Sequence, residues 1–311
     1  MTASEQVELI QDQVEIARDS VSASMSDGIV LRGYRFSGGQ PTASSRQKLK
    51  QSPAPLLCLA SELGNSREHD KFVLTIANDA RAPARIYTLD LRGRGRSDYK
   101  NVAQSDVSTD ADDLISFCDA NNLHHIDIVV SGYSVFALLH ALTKRPGLVR
   151  KLVLNDAAPE FDPVGIARHA ALMHRNATPS NWSDCAAQLE RDKGAEFPQF
   201  DTQDWQDMAH QIWRDDNGHP FPDYAKDLKR WSNLVDYDSR RPSLWPEFGI
   251  LRNRPVLLVR GEHSDLVTQQ IVEIMQSSHD DLNILLAANQ GHVPQLDRDG
   301  LSVQVLEFLL E

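Results

Sequence analysis

The chain has 311 residues, 41% hydrophobic and 24% charged, which fits one large domain with an inserted lobe, or two domains. Its 32 Lys and Arg against 44 Asp and Glu leave a net charge of −12. That charge argues against nucleic acid or an anionic membrane as the main partner, since both recruit a basic face.

Three scattered cysteines, Cys58, Cys118 and Cys185, suit neither a disulfide framework nor a zinc site. Cys58 and Cys118 fall in apolar runs and read as core residues. The acidic N-terminus lacks the n-region and h-region of a secretory signal. No apolar run approaches the roughly 20 residues that span a bilayer. A cytoplasmic protein is the expectation.

In chain order, residues 1–25 read as an N-terminal extension. Val7, Ile10, Val14, Ile16 and Ala17 fit a short amphipathic helix there, with a face for the body of the protein or for a homodimer partner. Residues 27–36 alternate loosely enough for an edge hairpin, and 38–55 read as a loop. Then strands and helices alternate: a strand over 55–60, a helix over 67–79, a strand over 85–89 and a helix over 109–120. A third pair follows, a strand from Ile126 and a helix with Val135, Leu138, Leu139 and Leu142 on one face, and then a strand over 151–154. Apolar strands alternating with amphipathic helices predict a parallel sheet covered on both faces.

The alternation breaks at Asp156. Helical spacing fills 164–173, 181–193, 204–215 and 224–235. All five tryptophans, at 182, 205, 213, 231 and 245, lie in this stretch. They read as the small core of a helical lobe, with two or three facing a ligand pocket as the sharper alternative. The alternation returns with a strand over 255–259, a helix over 269–276, a strand over 283–286 and a closing helix over 300–310. The predicted organisation is an α/β core over 26–157 and 247–311 and a helical cap over 158–246.

Four features follow strand ends, where open α/β sheets build their sites: the loop after Ala60, the turn Ser131-Gly132-Tyr133-Ser134, Asp265 and His292. The order is sharp turn, acid, histidine. In this respect the chain resembles the α/β-hydrolase fold family over about residues 27–311. Residues 90–97 (DLRGRGRS) resemble the family's D-x-R-G-x-G-x-S turn, and 145–156 its passage from the elbow helix into the next strand. Residues 260–265 resemble the acid loop and Gly291-His292 the closing pair, with an esterase or lactonase-like branch implied. The resemblance implies Asp265 as the acid and His292 as the histidine, the carboxylate fixing the imidazole tautomer. His263 reads as incidental.

The elbow departs from the family pattern. A nucleophile there needs small residues two positions before and after it. Ser134 has Gly132 and Phe136, Ser131 has Val129 and Tyr133, and Gly132 has Val130 and Ser134. Spacing from Arg145-Pro146 or from Leu123 places the family's nucleophile on Gly132, which tolerates the strained turn but has nothing to attack with. In the oxyanion loop Ala60-Ser61, followed by Glu62, stands where the family has a His-Gly or Pro-Gly pair, with Gly132 and Tyr133 at the elbow. A carboxylate at 62 opposes a developing oxyanion unless it points to solvent.

Three readings follow. One is a hydrolase of a small ester, lactone or related acyl substrate, with Ser134 (or Ser131) as nucleophile. The second is an inert ligand-binding homologue, a pseudoenzyme. The third is a non-hydrolytic enzyme using His292 with Asp265 as general base. The expected partner is a small-molecule substrate or ligand. No cofactor is expected, since there is no metal site, phosphate loop or dinucleotide fingerprint. Gly93-Arg94-Gly95 is too short for the last.

Overall fold

The computed structural model describes residues 18–38, 53–100, 102, 106–173, 179–226, 228 and 243–311. Its main sheet contains eight strands: β1 Arg18–Ser24, β2 Val30–Ser37, β3 Leu56–Leu59, β4 Arg85–Asp90, β5 Ile126–Ser131, β6 Val149–Asn155, β9 Val256–Gly261 and β10 Leu282–Ala287. A separate hairpin supplies β7 Trp213–Asp216 and β8 His219–Pro222. The main sheet runs β1-β2-β4-β3-β5-β6-β9-β10, with β1, β2 and β4 pairing antiparallel and the remaining pairs parallel.

The α-helices are α1 Asp70–Ala77, α2 Val107–Ala120, α3 Ser134–Lys144, α4 Pro163–Met173, α5 Trp182–Lys193, α6 Thr202–Ile212, α7 Trp245–Phe248, α8 Gln269–Ser278 and α9 Leu301–Leu310. Two apolar layers cover the sheet. Ile128, Val130, Leu152 and Leu154 face one layer with residues of α2, α3 and α8, such as Leu114, Leu138 and Met275. Val129 and Val153 face the other, with Phe72, Val73 and Ile76 of α1 and Val305 and Leu309 of α9. Alternation inside fully apolar strands is what a sheet buried on both faces requires. Cys58, Cys118 and Cys185 are all buried free thiols.

The sheet extends further toward the N-terminus than the sequence suggests. Arg18–Ser24, read as the end of an extension, is strand β1 and pairs along its length with β2. The hairpin expected within 27–36 is therefore built from 18–37, and the helix expected over 7–17 lies outside the described residues. The expected helix over 204–215 ends at Ile212 and gives way to the β7–β8 hairpin. Asn217 and Gly218, with φ of 56° and 87°, form its tip, a pair suited to a two-residue turn that needs positive φ twice. The helix expected over 224–235 falls largely outside the described residues, as does Trp231.

Between β6 and β9 the chain inserts α4 to α7 and the hairpin. Trp205 and Trp213 are buried there with Phe197, Leu189 and Met208 as a small separate core. Trp182 stacks on His210, and Trp245 donates its indole N–H to Glu160. The core-filling reading of the tryptophans holds for Trp205 and Trp213, while Trp213 also lines the cavity described below. No helix among the described residues is long and apolar enough to cross a membrane.

Candidate active site

Strand β5 is buried throughout and stops at Ser131; helix α3 starts three residues later. Gly132 makes the turn with φ of +49° and donates its N–H to Asn155 O at 3.1 Å. A Cβ built on Gly132 would lie 3.0 Å from His292 Nε2 and 2.9 Å from Glu62 Oε2. The strained elbow residue facing the histidine is therefore Gly132, where the flanking spacing placed it.

Neither serine takes that place. Ser134 is buried on the first turn of α3 and donates its hydroxyl to Ala60 O at 2.5 Å. Ser131 is buried on β5 and its hydroxyl accepts from Asn155 Nδ2 at 3.1 Å. Side chains alternate across a strand, and the helix turns 134 away from the site, so the serine before 132 and the serine two residues after it both point elsewhere. The assignment of Ser134, or Ser131, as nucleophile is corrected accordingly. Phe136, too large for the position beyond a nucleophile, packs instead on Tyr133 and Phe161 at ring-centre distances of 4.9 and 5.4 Å.

His292 is buried, and its acid is not Asp265. Its Nδ1 lies 2.8 Å from Asp156 Oδ2, directly after β6. Asp156 is fully buried and held by Gly261 N–H at 3.1 Å and the Ser264 hydroxyl at 2.6 Å. Asp265 turns the other way. Its carboxylate pairs with the Arg168 guanidinium and lies 3.3 Å from His169 Nε2. Gly165 makes this packing close: a Cβ there would come within 2.3 Å of Asp265 O. Burial opposes ionisation of Asp265, but His169 and Arg168 outweigh it and hold its carboxyl well below the usual carboxylate range. Sequence reasoning passed over Asp156, although it stands at a strand end just as Asp265 does.

Glu62 points inward, with 7% of its surface exposed. Its Oε1 stands 3.7 Å from His292 Nε2, and its Oε2 is 3.5 Å from the Tyr133 N–H. The loop is held in place by the DLRGRGRS turn. The Asp90 carboxylate accepts from Ser66 N–H at 2.6 Å and Arg96 N–H at 2.9 Å. Gly95, at φ +53°, presses on that carboxylate, 2.4 Å from where its Cβ would be. Arg94 is thereby buried and donates its Nε–H to Glu62 O at 2.6 Å. Ser61 is committed to Glu68: its N–H and hydroxyl meet that carboxylate at 3.1 and 2.5 Å.

Burial disfavours charge on both partners, yet the pair ionises. Burial would lower the His292 pKa; Asp156 and then Glu62 carry it up to about 10. Burial would raise the Glu62 pKa; the His292 imidazolium brings it down to about 2. The His292 ring thus sits between the Asp156 and Glu62 side chains, which favour its protonated form. Its Nε2 makes no hydrogen bond among the described residues. Beside it a cavity of about 170 Å³ opens, lined by Glu62, His169 and His292 together with Leu172, Leu189 and Trp213. The cavity combines an apolar wall with a few convergent polar groups, the usual make-up of a small-molecule site.

Comparison with known proteins agrees with this fold. The sequence model of the alpha/beta hydrolase fold matches residues 54–299. The chain is 25% identical over 256 residues to a 3-hydroxybutyrate-oligomer hydrolase of Cupriavidus necator, covering 78% of this chain and 84% of that one. A crystal structure of an alpha/beta hydrolase from Novosphingobium aromaticivorans superposes with a TM-score of 0.81 at 23% identity, covering 94% of this chain and 98% of that one. The enol-lactonase from Burkholderia xenovorans superposes with a TM-score of 0.64 at 13% identity, covering 94% and 100%.

Proposed function

The chain belongs to the α/β hydrolase fold family, and we propose that it hydrolyses a small uncharged ester or lactone through Glu62, His292 and Asp156, with no nucleophile on the elbow. The observation that carries this reading is the Glu62 carboxylate, 2.9 Å from where a side chain at 132 would begin and 3.7 Å from His292 Nε2. A base and an acid thus flank the place of the missing nucleophile. The Cupriavidus necator relative, a 3-hydroxybutyrate-oligomer hydrolase, supports the ester-bond class.

In the proposed reaction Glu62 removes a proton from water as the water oxygen bonds to the substrate carbonyl carbon. His292, a cavity-lining residue whose Nε2 has no hydrogen-bond partner among the described residues, gives its Nε2 proton to the leaving oxygen as the C–O bond breaks. Asp156 holds Nδ1 throughout and stabilises the imidazolium. The proton on Glu62 then passes to His292, restoring the ion pair and releasing acid and alcohol. An anion at the reacting end disfavours substrates that carry a carboxylate near the scissile bond. A general-base role for His292 is opposed by Asp156 and Glu62, which raise its pKa and favour the protonated ring.

A second reading, ligand binding without turnover, draws on one observation. The elbow amide of Tyr133 faces the Glu62 carboxylate at 3.5 Å, where a hydrolase would set an oxyanion.

The test measures hydrolysis of short-chain p-nitrophenyl esters and small lactones by wild type, Glu62→Gln, His292→Ala and Ser134→Ala. Losses of roughly 10²–10⁴-fold are expected for the first two variants, the scale of acid–base catalysis. Ser134→Ala should retain turnover, and a fluorophosphonate probe should leave wild type unlabelled. Turnover that survives Glu62→Gln, or a labelled wild type, would refute the proposal. Binding of these compounds with no hydrolysis would favour the second reading.

A further inference from the structure

His292 is gripped on both sides of its backbone by the segment inserted between β6 and β9. Lys193, the last residue of α5, donates Nζ–H to His292 O at 2.7 Å. Glu196, 6% exposed, accepts the His292 N–H on Oε2 at 3.0 Å. Gly291 permits the approach, since a Cβ there would lie 2.4 Å from Glu196 Cβ. Glu196 is held in turn: its Oε1 accepts from Arg168 Nη2 at 2.5 Å, and Arg168 also pairs with Asp265. The turn is closed by Glu196 N–H to Lys193 O at 2.8 Å. A chain of contacts thus runs from Asp265 through Arg168 and Glu196 to the amide of His292.

We infer that Lys193 and Glu196 are positioning residues, and that the inserted segment sets the alignment of the His292 ring against Asp156 and Glu62. Neither residue reaches the ring nitrogens; both act through the backbone on either side of it. Burial would raise the Glu196 pKa, but Lys193 and Arg168 hold its carboxyl below the usual range, so the acceptor stays charged. Both contacts to the His292 backbone are charge-assisted hydrogen bonds, each stronger than a neutral one. Asp265 contributes to the site through this chain, without touching His292.

In naming His292 a proton donor the inference rests on the hydrolytic reading, but its test needs no substrate. The protein is labelled with ¹⁵N-histidine, and the Nδ1 proton of His292, held by Asp156, is followed by NMR in wild type, Lys193→Met, Glu196→Ala, Glu196→Gln and, as a control, Arg191→Ala. The Nδ1 proton signal should be lost to exchange in Lys193→Met and Glu196→Ala, and kept in Arg191→Ala. Glu196→Gln, which retains an acceptor oxygen, should restore it. Circular dichroism establishes that each variant is folded; if Glu196→Ala is not, Lys193→Met decides. An unchanged Nδ1 signal in folded Lys193→Met would overturn the inference. Failure of the hydrolytic reading would appear separately, as wild type that shows this signal and hydrolyses nothing.

Discussion

Replacing Glu62 by Gln removes one of the two anions that hold His292 protonated, while keeping the side chain's size. The Oε1–Nε2 separation is 3.7 Å. At an effective dielectric of about 20, the attraction at that distance is about 4.5 kcal/mol, equivalent to about 3 pKa units. Burial continues to oppose the charge, and Asp156 continues to support it from 2.8 Å. The His292 pKa should accordingly fall from about 10 to about 7 in Glu62→Gln. A ¹³C-NMR titration of the histidine Cε1 resonance from pH 5 to 11 measures it directly, with exposed histidines of the same protein as internal standards. The same substitution on an acid that merely neighboured the ring at a distance would leave the titration almost unmoved. A His292 pKa that stays above about 9 in the variant would show that Glu62 does not hold the proton, and the acid–base unit would lose its base.

Three further predictions follow from other contacts. The raised His292 pKa contributes stability in full below about 6.5 and loses it as pH rises through about 10, whereas the lowered Glu62 pKa contributes above 4.5 and loses it as pH falls through about 2. Urea midpoints should therefore decline from pH 7 to 10 and from pH 4.5 downward, and ester turnover should stay level between these limbs; turnover that appears only as a group near pH 6.5 loses its proton would contradict a protonated His292. Gly132→Ser should lower stability by about 1–2 kcal/mol, the cost of a side chain at a left-handed φ, and should stay unlabelled by fluorophosphonate while Glu62 crowds it; adding Glu62→Gly should confer labelling. Arg92→Ala should cost about 3–5 kcal/mol in chemical denaturation, because it strands Asp113, whose carboxylate is buried with the guanidinium in a two-point contact of 2.5 and 2.6 Å; a loss below 1 kcal/mol would mean that water reaches the pair.

The periodic features of the fold were legible in the sequence because they rest on local pattern. The apolar run of β5, the spacing of α3 and the DLRGRGRS turn all appear where the residues indicated. The Asn217-Gly218 turn was equally local, yet helical spacing running on from α6 masked it. The choice of acid was not local. Asp156 and Asp265 both follow parallel strands, and nothing nearby separates them. What separates them is Arg168, 97 residues before Asp265, which draws that carboxylate toward the inserted segment, and Ser264 with Gly261, which fix Asp156 beneath His292. The inward turn of Glu62 likewise depends on Arg94, 32 residues on, whose guanidinium reaches back to the Glu62 carbonyl.

Gly132 and Glu62 looked in the sequence like two separate defects, a missing nucleophile and a misplaced charge. In three dimensions they are one rearrangement. A side chain at 132 would begin 2.9 Å from Glu62 Oε2, so a serine there and an inward carboxylate at 62 compete for the same space. Loss of the side chain at 132 opens the position that the carboxylate fills. The charge then finds an imidazolium at 3.7 Å and an elbow amide at 3.5 Å, which offset part of the cost of burying it. With a side chain at 132, the Glu62 carboxylate and that side chain would crowd each other. Without the glutamate, the imidazolium would face the elbow with Asp156 as its only carboxylate partner among the described residues. The two positions therefore constrain each other, and their joint presence is what the proposed carboxylate-centred site requires.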